Sequence, residues 1–127
     1  MPMRTICHLM CALLACSALN AVAQTKTDAS MKLCGWFENP SPANVTLTDR
    51  EGEWTISMQG GHEAEGDWPT FKAKQWVRTG SSYGYGCACM VVIADRETHE
   101  INRIVSSYSQ PLAVCRKDRA LHEPAGR

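Results

Sequence analysis

The sequence predicts a small all-β domain, a β-sandwich or barrel-like fold stapled by disulfides, behind a signal peptide. Three observations carry that reading. Short segments alternate apolar and polar residues with the two-residue period of a strand, and clusters of Asp, Glu, Gly and Ser separate them. Four cysteines (Cys34, Cys87, Cys89 and Cys115) bracket those segments, as expected of a small exported domain that does not rely on core size alone. No stretch keeps a helical period for three turns, so a helical bundle is excluded.

Residues 1–23 carry Arg4, an apolar run, and the small-x-small end Ala21-Val22-Ala23 ahead of Gln24, the pattern of a cleaved export signal. The run is shorter than the roughly 20 apolar residues that span a bilayer. A competing pattern is Leu13-Leu14-Ala15-Cys16, a loose lipobox that would leave the protein anchored through a lipidated Cys16. Residues 24–33 are polar and without period, which predicts a disordered lead-in. The β-rich domain is placed at 34–116 and a polar tail at 117–127.

Within the domain, 45–47 and 54–58 both alternate, and Asp49-Arg50-Glu51-Gly52 between them makes a hairpin turn. A short strand fits 75–78, and a short helix fits 113–121. Residues 83–94 form the longest extended run, with 101–108 returning beside it across 95–99. Period two puts Tyr83, Tyr85, Cys87, Cys89, Val91 and Ile93 on one side of that run, and Gly84, Gly86, Ala88, Met90, Val92 and Ala94 on the other. From Cys87 onward both sides are apolar, the mark of a central strand covered on both faces. Gly84, Gly86 and Ala88 leave room for something bulky, a Trp ring or another backbone.

The same alternation limits the cysteines. A bond inside Cys87-Ala88-Cys89 would fold an extended chain back on itself, so Cys34 pairs with one of the two and Cys115 with the other. Each closed loop contributes about 4 kcal/mol in the chain-entropy model, comparable with the net stability of a small domain. The rival reading makes Cys87-x-Cys89 a redox couple or a soft-metal clamp, but no Cys-x-x-Cys heads a helix to lower a thiol pKa.

Thirteen Lys and Arg balance thirteen Asp and Glu without a basic stripe, which argues against a nucleic-acid partner. The mature chain holds no second apolar stretch long enough to be a transmembrane segment. In the loop 62–67, His62, Glu63, Glu65 and Asp67 fall together, and in an extended chain the three carboxylates share one side, a candidate cation or acid/base cluster. A solvated acidic loop is the plainer reading. Motifs for a serine hydrolase, a zinc protease or a phosphate loop are missing, so no residue is assigned a catalytic or metal-ligating role and no cofactor is implied. Trp36, Glu38, Asn39, Trp68, Tyr83 and Tyr85 lie in or beside Pro- and Gly-rich segments and are the candidate binding residues, since rigid aromatics anchor partners. The competing reading has these rings capping the ends of the barrel or sandwich.

Cys34-Gly35-Trp36-Phe37-Glu38-Asn39-Pro40, Thr48-Asp49-Arg50 with Gly52 and Trp54, Gly66-Asp67-Trp68-Pro69 and Tyr83-Gly84-Tyr85-Gly86-Cys87-Ala88-Cys89 closely resemble a family of small exported bacterial proteins classed as a domain of unknown function. The resemblance runs from Cys34 to about Cys115. It implies a bacterial, periplasmic setting and brings no catalytic or binding residues with it. The expected function is that of a periplasmic or secreted non-catalytic binding or accessory protein, such as an inhibitor, acting on an envelope protein or small ligand. The alternative is a small periplasmic enzyme, or a metal- or thiol-active protein using the 62–67 loop or the Cys87-x-Cys89 pair.

Protein recovered from the periplasm is expected to begin at Gln24 and to carry no lipid. Intact mass spectrometry checks this, and a species starting at a diacylated Cys16 would overturn it.

Overall fold

The structure, a computed structural model, describes residues 29–125. The expected signal peptide, Cys16 and residues 24–28 lie outside the described residues. The strands are β1 (Met31–Ser41), β2 (Asn44–Asp49), β3 (Gly52–Ser57), β4 (Trp76–Gly80), β5 (Tyr83–Asp95) and β6 (Glu100–Gln110), followed by one short helix, α1 (Leu112–Lys117). They form a single mixed sheet in the order β1-β2-β3-β6-β5-β4. Because β1 pairs with β5 as well as with β2, five strands close into a ring, which selects the barrel over the sandwich. Strand β4 lies beside the start of β5 (Trp76↔Gly86), and β6 takes its place from Cys87↔Gln110 onward.

Strand β1 begins at Met31, three residues ahead of the expected domain boundary, because Leu33 is buried and Met31 and Leu33 pair with Val92 and Met90. The sequence reading missed β1 as a strand. Gly35, Asn39 and Pro40 read as a loop, and Trp36 and Phe37 are both buried, so the alternation that marks a one-sided strand is lost. Pro40 is tolerated because the β1–β2 register is irregular between Glu38 and Ser41.

The hairpin expected at 49–52 is present, with Asp49↔Gly52 closing it. Asp49 Oδ1 accepts the Glu51 backbone N–H at 2.8 Å and the Trp54 indole N–H at 3.0 Å, so one buried carboxylate sets the turn and the first core side chain after it. Leu33, Phe37, Val45, Leu47, Trp54, Ile56, Ala88, Met90, Val92, Ile101 and Ile104 fill the ring. Ile101 and Ile104 are three apart, a spacing that period two forbids. A register shift between Ile93↔Arg103 and Ala94↔Ile101 inserts Asn102 as the extra residue and turns both isoleucines inward.

The ring closes weakly between β3 and β6, which run parallel and share a single bridge, Thr55↔Glu100. Residues 62–65 fill the gap. Ala64 N–H donates to the Ile56 carbonyl (2.8 Å), Glu65 N–H donates to the Asn102 carbonyl (3.0 Å) and Ile104 N–H donates to the Glu65 carbonyl (2.7 Å). Beyond this seam, Trp68, Phe71 and Trp76 gather round Phe37 at centroid distances of 5.5–6.4 Å and cap that part of the core. A Cβ on Gly86 would run into the Phe71 ring and lie 2.7 Å from the Gln75 carbonyl oxygen, and one on Gly84 would meet the Val77 carbonyl oxygen and the Trp76 indole. The small side of β5 thus receives bulky neighbours, as its glycines predict.

Both outer cysteines bond to β5. Cys34 pairs with Cys89 across the β1–β5 register, Cα atoms 4.1 Å apart, and Cys87 pairs with Cys115 on α1. The helix is shorter than the expected 113–121, stopping where Asp118 turns extended.

Gly86→Ala is expected to cost about 1–3 kcal/mol, because a ring and a backbone carbonyl must move for one methyl group. Denaturation midpoints check this against Gly61→Ala, where the added carbon reaches nothing closer than 3.9 Å.

Candidate functional site

The acidic loop 62–67 is a strut and gathers no ligand set. Ala64, between its carboxylates, is buried, whereas Glu63, Glu65 and Asp67 are exposed. Glu65 pairs with Arg103 at 3.1 Å, and a His62 ring nitrogen sits 2.8 Å from the Ile101 carbonyl. Among the described residues no group of three or more His, Cys, Asp or Glu is placed to hold a metal ion. Cys87 and Cys89 are not a couple either, since each is bonded to a different distant cysteine.

The six candidate binding residues do not share one surface. Alternation along β1 and β5 sends Phe37 into the ring and Trp36, Glu38 and Tyr85 to its outside. Trp68 belongs with Phe37 on the core side, so its ring is a cap. Asn39 faces Gly84 across the β1–β5 register, and its Oδ1 is buried without a hydrogen-bond partner among the described residues. Tyr83 is half-buried at the start of β5.

Trp36 is fully buried and Tyr85 only 6% exposed. Their rings meet edge to face at 5.4 Å and, with Cys87 and Cys115, form a second small core on the outside of the ring, covered by Leu112 and Leu121. The tail expected to be merely polar therefore docks. Glu123 accepts the Tyr85 hydroxyl at 3.0 Å and takes two N–H groups of Arg116, from Nη2 at 2.7 Å and Nε at 2.9 Å. The Arg116 hydrogen bond, followed by that of Tyr85, holds the Glu123 carboxyl below its ordinary value against the opposing effect of burial. Burial first, and then Glu123, push the Tyr85 hydroxyl up.

Beside this docked tail lies a groove of about 430 Å³, lined by Glu38, Asn44, Thr46, Glu53, Thr79, Tyr85 and the tail residues Pro124 and Ala125. Register builds it: Glu38 stands opposite Tyr85 on one side and Thr46 on the other. Asn44 is fixed by bonds to Ser41 Oγ (2.9 Å) and from the Gln59 N–H (3.0 Å). Of the six candidates, only Glu38 and Tyr85 come together here. Thr46 and Glu53 could have been found from the alternation of their strands, which points them outward, whereas nothing in the sequence marks Thr79 or the tail.

Over residues 15–122 the chain matches the model of a family described as protein of unknown function, DUF4087. The chain belongs to this family. No curated protein and no solved structure matches it. For the DUF4087 domain, the two disulfides are compatible with an oxidising compartment, and no helix among the described residues is long and apolar enough to cross a membrane.

Docking of the tail is expected to weaken at both extremes of pH. A depressed carboxyl stabilises the docked state above its unfolded pKa, and that contribution is lost as pH falls through the lower folded value. A raised phenol loses its contribution as pH rises past the ordinary tyrosine range, near 10. Leu121 methyl resonances should therefore move towards free-chain positions at both extremes. In Glu123→Gln they should move part of the way at neutral pH as well.

Proposed function

We propose that this protein is an exported, non-catalytic binding protein of the bacterial envelope that takes its partner in the groove beside Tyr85. The observation that carries the reading is the groove itself, in which two carboxylates, Glu38 and Glu53, stand among Asn44, Thr46 and Thr79 on a floor of paired strands. Acidic and hydroxyl side chains on a rigid sheet suit a cationic, hydrogen-bonding segment of a protein partner. Packing of Tyr85 against Trp36 gives the groove one stiff apolar wall. The leader pattern and the disulfides support the envelope setting.

A photocrosslinker at Thr46 in the full chain, expressed in the envelope, is expected to capture a protein partner. Capture should be lost in the Glu38→Gln/Glu53→Gln double variant with the far-ultraviolet dichroism spectrum unchanged, and should not occur from a crosslinker at exposed Val105, outside the groove. Capture that survives the double variant, or that occurs equally from Val105, would sink the reading.

A further inference from the structure

The two disulfides differ in access. Cys87 is fully buried and Cys115 is 2% exposed, so that bond is sealed inside the outer core. In the other bond Cys89 is 2% exposed, but Cys34 is an exposed residue and lines a separate cleft of about 280 Å³. That cleft is charged. Arg50 and Arg96 in its wall are paired with Asp118 (3.8 Å) and Glu51 (3.1 Å), and the Asp49 carboxylate is held by Trp54 and the Glu51 N–H. Lys32, two residues before Cys34 on the same outward side of β1, makes no ion pair among the described residues and rests against the Tyr108 ring. The cleft's three cations, Lys32, Arg50 and Arg96, are matched by three carboxylates, Asp49, Glu51 and Asp118, so its polar wall carries no net charge.

We infer that Cys34–Cys89 is a thiol-exchange site, open through this cleft to small thiols, and that Cys87–Cys115 is a closed structural bond. An incoming thiolate attacks Cys34 Sγ. A sulfur–sulfur bond forms between the thiol and Cys34 as the Cys34–Cys89 bond breaks, and the electron pair leaves on Cys89 Sγ, which takes a proton from solvent. The product is a mixed disulfide on Cys34 and a thiol on Cys89. Gln110 Oε1 lies 3.2 Å from Cys89 Sγ, placed to accept the new S–H. Attack by a second thiolate on the mixed disulfide releases the Cys34 thiol and the oxidised small thiol, so two electrons pass from two thiols to the protein. The fold survives the opening, because β1 and β5 stay paired from Met31↔Val92 to Asn39↔Gly84 and α1 stays tied through Cys87. Exposed disulfides are those that exchange readily, whereas buried ones wait for unfolding.

The test uses the oxidised full chain under native conditions with reduced glutathione, followed by an acid quench, maleimide labelling and peptide mapping. Cys34–Cys89 is expected to open at least about tenfold faster than Cys87–Cys115, with an unchanged far-ultraviolet dichroism spectrum and the glutathione adduct on Cys34. Labelling of Cys87 and Cys115 first or at an equal rate, an adduct on Cys89, or labelling that appears only as the dichroism is lost would each overturn the inference.

Discussion

Strand β5 is the constraint on which the rest of the molecule depends. It pairs with β1 along one edge and with β4 and then β6 along the other, and both its faces are buried from Gly84 to Met90. A strand with no free edge and no wet face holds its register firmly, because a slip of one residue would exchange Cys87 and Cys89 with Ala88 and Met90 and strand both sets on the wrong side. The glycines at its start extend the same logic, since Phe71 and the β4 backbone occupy the space their side chains would take.

Two cores follow from that strand, one on each face. The larger fills the ring, and the smaller sits outside it around Trp36 and Tyr85. A ring of five strands leaves its outer face wet by default, so an outer core needs a lid, and six residues of helix are too few to hold a place by their own propensity. The Cys87–Cys115 bond supplies the hold, of the order of 2–5 kcal/mol for a disulfide in a small domain. The Arg116–Glu123 ion pair lies at the surface, where such pairs contribute little to stability, and it orients the tail that the disulfide has already brought near.

What was legible in the sequence was what obeys period two. β2, β3, β5 and their turns stand within a residue or two of the expected places, and the exclusion of a bond inside Cys87-Ala88-Cys89 holds. What was not legible depends on contacts distant in the chain. Strand β1 hides because two-faced burial erases alternation at Trp36 and Phe37. The strut at 62–65 hides because its polar side chains say nothing of backbone groups that bridge Ile56 to Asn102. Carboxylates that look like a ligand cluster are outward-pointing residues on either side of one inward alanine. The candidate site was half legible: Glu38 and Tyr85 stood out beside Pro- and Gly-rich segments, but only the fold could set them opposite each other and add Thr79 and the tail.

The outer face of β1 orders the molecule's polar features along a single line, Lys32 and Cys34 in the charged cleft, Trp36 under the helix and Glu38 in the groove. The covered tryptophan separates the two openings, and the paired backbone beneath them is shared. Because that pairing extends past Cys34 on one side and to Asn39 on the other, the groove does not depend on the Cys34–Cys89 bond for its shape. It depends on the lid, and therefore on Cys87–Cys115 and the docked tail, whose Pro124 and Ala125 form part of its wall. The burial of one disulfide and the exposure of the other thus match what each supports: the sealed bond carries the groove, and the open one lies where a change of redox state leaves the groove intact.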